Sequence, residues 1–256
     1  MIIDAHTHVF ADPKQNPYPR PGGVDDLVHD LDASGIDAAV VIPLPGWASN
    51  EYVWDQCARY PGRLLPFYTP DLGAPGQVVA ALDAFFHDRE PRGLKIHPRM
   101  QKVAPGDPVV SHVMRWADDR DVPVVFDCFP FGDDVDDQRL WPLAYHRLAR
   151  EFSGVTIVLA HSGGFRALDG FMVAKANANV VLDVSLTLRY FPGTSAERDL
   201  AFACRRQPAG RVIYGSDFPN IGIDESLQTA REVLTGLSEE QRAALFGGTA
   251  KRLFGG

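Results

Sequence analysis

His6 and His8 stand two residues apart in Ile3-Asp4-Ala5-His6-Thr7-His8, at the end of a β-branched run. Alternate side chains of a strand share a face, so both imidazoles can converge on one divalent ion. The competing reading is a pair of hydrogen-bonded strand histidines. Asp4 is expected on that same face, supporting the site as a buried, paired carboxylate. His161 closes the run Val155-Thr156-Ile157-Val158-Leu159-Ala160, and Asp217 closes Val212-Ile213-Tyr214-Gly215-Ser216. An unpaired polar group at such a buried end costs roughly 2–7 kcal/mol, so each is either satisfied structurally or placed for chemistry. If His6 and His8 hold an ion, Asp217 becomes a ligand or a base beside bound water, whose pKa falls to about 7 on zinc. Gly215, on the face of Asp217, leaves room for a substrate or water.

These residues need a scaffold that brings distant strand ends together. Strand-like runs lie at 2–9, 37–42, 63–68, 93–97, 122–127, 156–161, 180–185 and 212–216. Helical patterns fall near 25–34, 49–59, 75–87, 108–120, 139–150, 164–176, 196–206, 224–235 and 239–246. Pro75 and Pro108 suit first helical turns, and Ser238 to Gln241 reads as a capping box. Eight alternating strands and helices predict a (β/α)₈ TIM barrel, an α/β fold, as one domain over 1–256. An open doubly wound sheet is the competitor, but no G-x-G-x-x-G or Walker sequence follows the first strand. Residues 11–23 carry four prolines and read as an irregular loop after strand one.

A barrel presents its chemistry at the C-terminal strand ends. The polar residues expected there are His6, His8, Lys95, His97, Asp127, Cys128, His161, Ser162, Asp183, Ser185 and Asp217. The 256 residues are 45% hydrophobic and 23% charged, which excludes wholesale disorder and fibrous repeats. Apolar runs are far shorter than the about 20 residues a bilayer requires, and no basic n-region precedes the first strand. Three scattered cysteines give no disulfide framework, so a reducing cytoplasm is expected. A net charge of −8 argues against nucleic acid as a partner.

Together the segments 3–8 (IDAHTH), 93–98 (GLKIHP), 159–164 (LAHSGG) and 214–219 (YGSDFP) resemble the amidohydrolase superfamily, in its amidohydrolase-2 branch. The tail from Leu237 to Phe254 is similar to that branch's C-terminal helices. The resemblance implies a distorted barrel with a mononuclear divalent site, often zinc and sometimes manganese. It also implies hydrolysis of amides, lactones or esters, or non-oxidative decarboxylation of unsaturated or aromatic acids. Carried onto this chain, it makes His6 and His8 metal ligands and Asp217 a ligand or base. His161 becomes a ligand or a water-orienting acid/base.

One departure stands out: the branch usually ends strand five with a histidine ligand, where this chain has Asp127 followed by Cys128. The ligand set is then His6, His8, Asp127 and Asp217, and its two carboxylates shift preference toward harder ions such as manganese. Alternatively, Asp127 is an acid/base in a metal-free site. Cys128 is a soft ligand, a nucleophile or an inert buried thiol. Lys95 faces substrate or pairs with a carboxylate, which favours a mononuclear site.

Basic residues near the strand ends suggest a small acidic substrate, because arginine recognises carboxylates bidentately. Arg189, beside Tyr190 and Phe191, is the preferred binder, while Arg99, Lys102 and Arg166 are equally well read as solvated loop charges. Lys95, His97, Tyr190 and Trp47 are expected to touch substrate, with Phe10, Phe129 and Phe131 as further wall candidates. The leading expectation is a metal-dependent hydrolase of a carboxylate-bearing amide, lactone or ester, with Asp217, His161 and Lys95 catalytic. A decarboxylase on the same site is the alternative, and a non-catalytic binding barrel the third reading. A homo-oligomer is compatible with all three.

Overall fold

The computed structural model describes residues 1–12, 14 and 16–255. Among these described residues eight parallel strands form in chain order: β1 (Ile3–Thr7), β2 (Ala38–Val41), β3 (Leu64–Pro66), β4 (Leu94–Ile96), β5 (Val124–Asp127), β6 (Ile157–Ala160), β7 (Val180–Asp183) and β8 (Val212–Ile213). They pair as β1-β2-β3 and β4-β5-β6-β7-β8. Isolated parallel bridges, Tyr68 to Leu94 and Thr7 to Phe218, join the two sheets at both seams. The β1–β8 seam is reinforced by Ala5 N–H donating to Tyr214 O and His8 N–H donating to Phe218 O, at 2.9 and 2.8 Å. This is the expected TIM barrel, with strands shorter than the apolar runs suggested.

Alternation within the strands divides the apolar residues into two populations. Val40, Val125, Val158, Val181 and Ile213 pack together as one inner cluster, while Val41, Val124, Leu159 and Leu182 belong to the larger cluster against the helices. Helix Thr249–Phe254 supplies Ala250 and Phe254 to the inner cluster, and Phe254 meets Phe67 at a ring separation of 5.0 Å. That helix therefore plugs the end of the barrel opposite the strand C-termini.

In β1 the alternation changes phase. Ile3 and Asp4 pair with Ala38 and Ala39, but Thr7 pairs with Val41, so β1 carries one extra residue across that interval. Ile3 and Ala5 lie in the inner cluster, yet His6 and His8 also face the barrel mouth. Such a bulge re-aims the side chains beyond it. Asp4 is consequently off the imidazole face expected for it, and instead accepts from the backbone N–H groups of His6 and Ser216 at 3.1 and 2.9 Å.

Helix boundaries follow local chemistry. Pro108 opens helix Pro108–Asp118, and Ser238 and Gln241 exchange capping-box hydrogen bonds of 3.1 and 2.9 Å. Pro75 instead sits in a turn, and its helix begins at Val78. The helix expected over 139–150 is broken into 3₁₀ turns, Gln138–Leu140 and Pro142–Ala144, before Tyr145–Glu151. Pro142 has no N–H to continue a preceding turn, which accounts for the interruption. Among the described residues no helix is long and apolar enough to cross a membrane.

Gly93 tests the barrel packing, because a Cβ there would lie 2.3 Å from the Phe67 ring. Gly93→Ala should destabilise the fold by about 1–3 kcal/mol, lowering the melting temperature by about 2–4 °C for each kcal/mol. Gly106→Ala, with nothing within 4 Å of its Cβ, should melt as the parent does. Calorimetric melts of the two variants check both expectations.

Candidate metal centre and active site

The strand ends bring together His6 and His8 from β1, Lys95 and His97 from β4, Asp127 from β5, His161 from β6, Asp183 from β7 and Asp217 after β8. All are buried. His161 and Asp217 adopt left-handed backbone, with φ of 59° and 68°, as do Ser162 and Leu186. Each such conformation costs about 1–3 kcal/mol for a residue with a Cβ, and this strain concentrates where the chain turns off the barrel.

Three imidazoles are held through the same nitrogen. His6 Nδ1 donates to Asp183 Oδ2 at 2.6 Å, and His8 Nδ1 donates to the Ile42 carbonyl at 2.9 Å. His161 Nδ1 reaches the Ser185 carbonyl at 3.2 Å and Ser185 Oγ at 2.9 Å. Ser185 Oγ in turn donates to Asp183 Oδ2 at 2.7 Å, while Ser185 N–H donates to Asp183 Oδ1 at 2.7 Å. A nitrogen facing a carboxylate or carbonyl must carry the proton, so each Nε2 of the neutral rings presents a lone pair to the mouth.

Those lone pairs face further acceptors. Asp217 Oδ1 lies 3.7 Å from His6 Nε2 and 3.4 Å from His8 Nε2, while its Oδ2 accepts from Asn220 at 3.0 Å. Donor atoms on a tetrahedral zinc sit about 3.4 Å apart, given bonds of about 2.0–2.1 Å. The His6–Asp217 and His8–Asp217 pairs therefore each have the chemistry and spacing of two ligands on a divalent cation. His161 also contributes a donor atom to a compact group with His6 and Asp217, all within 4.8 Å of one another.

Asp127 is placed differently from the role expected of it. Its Oδ1 lies 3.4 Å from His161 Nε2 and its Oδ2 lies 3.6 Å from His97 Nδ1. Asp127 Oδ2 and His97 Nδ1 are both buried without a hydrogen-bond partner. The carboxylate thus borders the His6–His8–Asp217 group through His161. Cys128 donates its thiol to the Ala160 carbonyl at 2.8 Å, and burial holds its pKa well above the usual thiol range. This is the inert arrangement, neither ligand nor nucleophile.

The electrostatics follow from burial and from this crowding. Burial, then the Lys95 charge, push His6 down to about 4, and burial takes His97 down to about 3. Both rings are neutral near pH 7, as a ligand must be. Burial alone would raise Asp127 and Asp217, but the surrounding histidines, with Lys95 beside Asp127, hold both well below the usual carboxylate range. Burial would lower His161, yet its contact with Asp127 and the charges of Asp217 and Asp183 raise it. Burial also lowers Lys95, opposed by Asp127, Asp183 and Asp217. Its Nζ lies 3.5 Å from His6 Nε2 and forms no ion pair with a carboxylate among the described residues.

A cavity of about 350 Å³ opens above these groups, and Trp47, His97 and Tyr190 line it as expected. Arg189 does not: it is drawn away into an ion pair with Glu225, which also takes Arg20 at 3.0 Å. Arg166 pairs with Asp169 at 2.5 Å and covers the Trp141 ring. Arg99 lines the cavity instead, together with Tyr18, Phe129, Phe131 and Asn220. Tyr18 and Asn220 escaped the sequence reading because they lie in irregular loops with no periodicity. The signal for Asp183 was present as Asp183-x-Ser185, a same-face pair at a strand end.

The amidohydrolase family model matches residues 3–256. Among solved structures, an uncharacterised TIM-barrel protein of Bordetella bronchiseptica superposes with a TM-score of 0.82 at 18% identity, covering 98% of this chain and 97% of the other. An amidohydrolase of Burkholderia multivorans with bound zinc gives 0.73 at 19% identity, covering 99% of each chain. The 5-carboxyvanillate decarboxylase of Sphingomonas paucimobilis gives 0.72 at 14% identity, covering 99% of this chain and 98% of the other. Among curated proteins, no sequence matches.

Asp183 makes no contact with the cavity yet sets the His6 ring. Asp183→Asn should retain the fold and weaken zinc affinity about 10- to 100-fold, as losses of such outer partners do. Competition against a fluorescent chelator measures it.

Proposed function

The chain belongs to the amidohydrolase family, and from that premise we propose a metal-dependent hydrolase acting on a small carboxylate-bearing amide, lactone or ester. The observation that carries this reading is the meeting of acceptors. Asp217 Oδ1 lies 3.7 Å from His6 Nε2 and 3.4 Å from His8 Nε2, and donor atoms of His6, His161 and Asp217 all lie within 4.8 Å of one another. His6, His8 and Asp217 would hold the ion, with Asp127 and His161 completing its surroundings. Zinc suits the imidazoles, and the second carboxylate keeps manganese within reach.

A divalent ion there supplies Lewis acidity, polarising a substrate carbonyl and acidifying water. The protein's own groups do the rest. His161, fixed through Nδ1 by Ser185, offers Nε2 to take a proton from the attacking water and return it to the leaving group. Asp127, 3.4 Å from that nitrogen, stabilises the imidazolium formed in between. Lys95 Nζ, 3.5 Å from His6 Nε2, is a hydrogen-bond donor placed to favour negative charge developing on the substrate oxygen. Leu44, Trp47, Phe129, Phe131 and Leu186 line the cavity and lower the polarity around these groups.

Decarboxylation is the second reading, favoured by the contact of His161 with Asp127 at 3.4 Å and by the charges of Asp217 and Asp183, which raise its pKa and favour its protonated form. There His161 would protonate the carbon that loses carbon dioxide. Incubation in ¹⁸O-water separates the two: hydrolysis places the label in the product acid, whereas decarboxylation releases carbon dioxide without net water uptake.

Dialysis against a chelator should abolish turnover of carboxylate-bearing lactones and amides, and added zinc or manganese should restore it. His8→Ala should lower kcat/KM by more than about 100-fold even with metal in excess. Undiminished turnover by the metal-free protein would overturn the reading.

A further inference from the structure

Arg99 sits in helix Pro98–Gln101, directly after β4, with its guanidinium in the cavity wall. The other arginines near the mouth are neutralised: Arg20 and Arg189 share Glu225, and Arg166 holds Asp169. Arg99 has no carboxylate partner among the described residues, and its Nε is buried with no hydrogen-bond acceptor. A buried N–H denied both water and protein costs about 1–3 kcal/mol, more on a charged group, unless a ligand satisfies it.

An aromatic wall leads from the proposed metal end to this cation. Phe129 meets His161 edge-on at 5.6 Å, Phe131 follows Phe129 at 6.2 Å, and the Arg99 guanidinium lies 5.9 Å from the Phe131 ring. Tyr190 braces both phenylalanines at 5.2 and 5.8 Å. Trp47 also lines the cavity. Such walls suit a flat, unsaturated ligand.

We propose that Arg99 is the residue that binds the carboxylate of the substrate. The substrate's reacting group lies at the His6–Asp217 end. The inference rests on the metal-site reading for which end reacts, but Arg99's role as anion receptor stands on its own geometry. The planar fork of arginine gives two parallel hydrogen bonds to a carboxylate, which lysine cannot reproduce.

Isophthalate and its neutral diamide, isophthalamide, are titrated calorimetrically into metal-free and zinc-loaded protein. The proposal expects Arg99→Gln to weaken isophthalate about 10- to 100-fold in both forms. Isophthalamide affinity, zinc affinity and melting temperature should stay at parental values. Arg99→Lys should recover only part of the loss. Equal isophthalate affinity in parent and Arg99→Gln, or equal weakening of acid and diamide, overturns the proposal. Failure of the parent to bind zinc contradicts the metal reading instead, and the metal-free titrations still decide the role of Arg99.

Discussion

The contact between His6 Nδ1 and Asp183 Oδ2, 2.6 Å long and wholly buried, fixes which way the first imidazole faces. Because Asp183 also takes both the N–H and the hydroxyl of Ser185, and Ser185 holds His161, one carboxylate orients two rings. The Ile42 carbonyl does the same for His8. In the neutral rings the Nδ1 protons thereby point into the barrel wall and the Nε2 lone pairs into the mouth. Under the proposed function, metal affinity and acid/base capacity would both follow from that choice of tautomer.

Packing so many ionisable groups without solvent demands internal neutralisation. Asp127, Asp183 and Asp217 surround Lys95 and the histidines, and each carboxylate is stabilised by cationic or hydrogen-bonded neighbours. Asp4 is treated differently: burial pushes it up to about 7, and its Oδ2 has no acceptor or donor within reach. Its Oδ1 accepts from the backbone of β1 and of the segment after β8. The overall charge of −8 therefore says little about the cavity, whose rim carries an unpaired arginine.

Much of this was legible in the residues themselves. Eight apolar runs ending in polar side chains marked the barrel, and His6, His8, His161 and Asp217 stood out because a polar group closing a buried strand is either satisfied structurally or placed for chemistry. What pattern could not show were events at longer range. The bulge in β1 shifts the phase between Ala5 and His6, so strict alternation placed Asp4 on the wrong face. Glu225, far along the chain, captures Arg189 and removes it from substrate binding. Arg99 gained its role by elimination, once its competitors were paired, and that bookkeeping exists only in three dimensions. Asp127 at the end of β5 was visible as a departure, but its lean toward His161 and His97 was not.

In the proposed site, imidazole Nε2 atoms and Asp217 converge on one divalent ion. X-ray absorption on protein loaded with one equivalent of zinc tests it most directly. The account predicts nitrogen and oxygen scatterers at about 2.0–2.1 Å, with imidazole multiple scattering that falls by one ring in His8→Ala. A zinc spectrum without imidazole scattering, or one unchanged in His8→Ala, would contradict it.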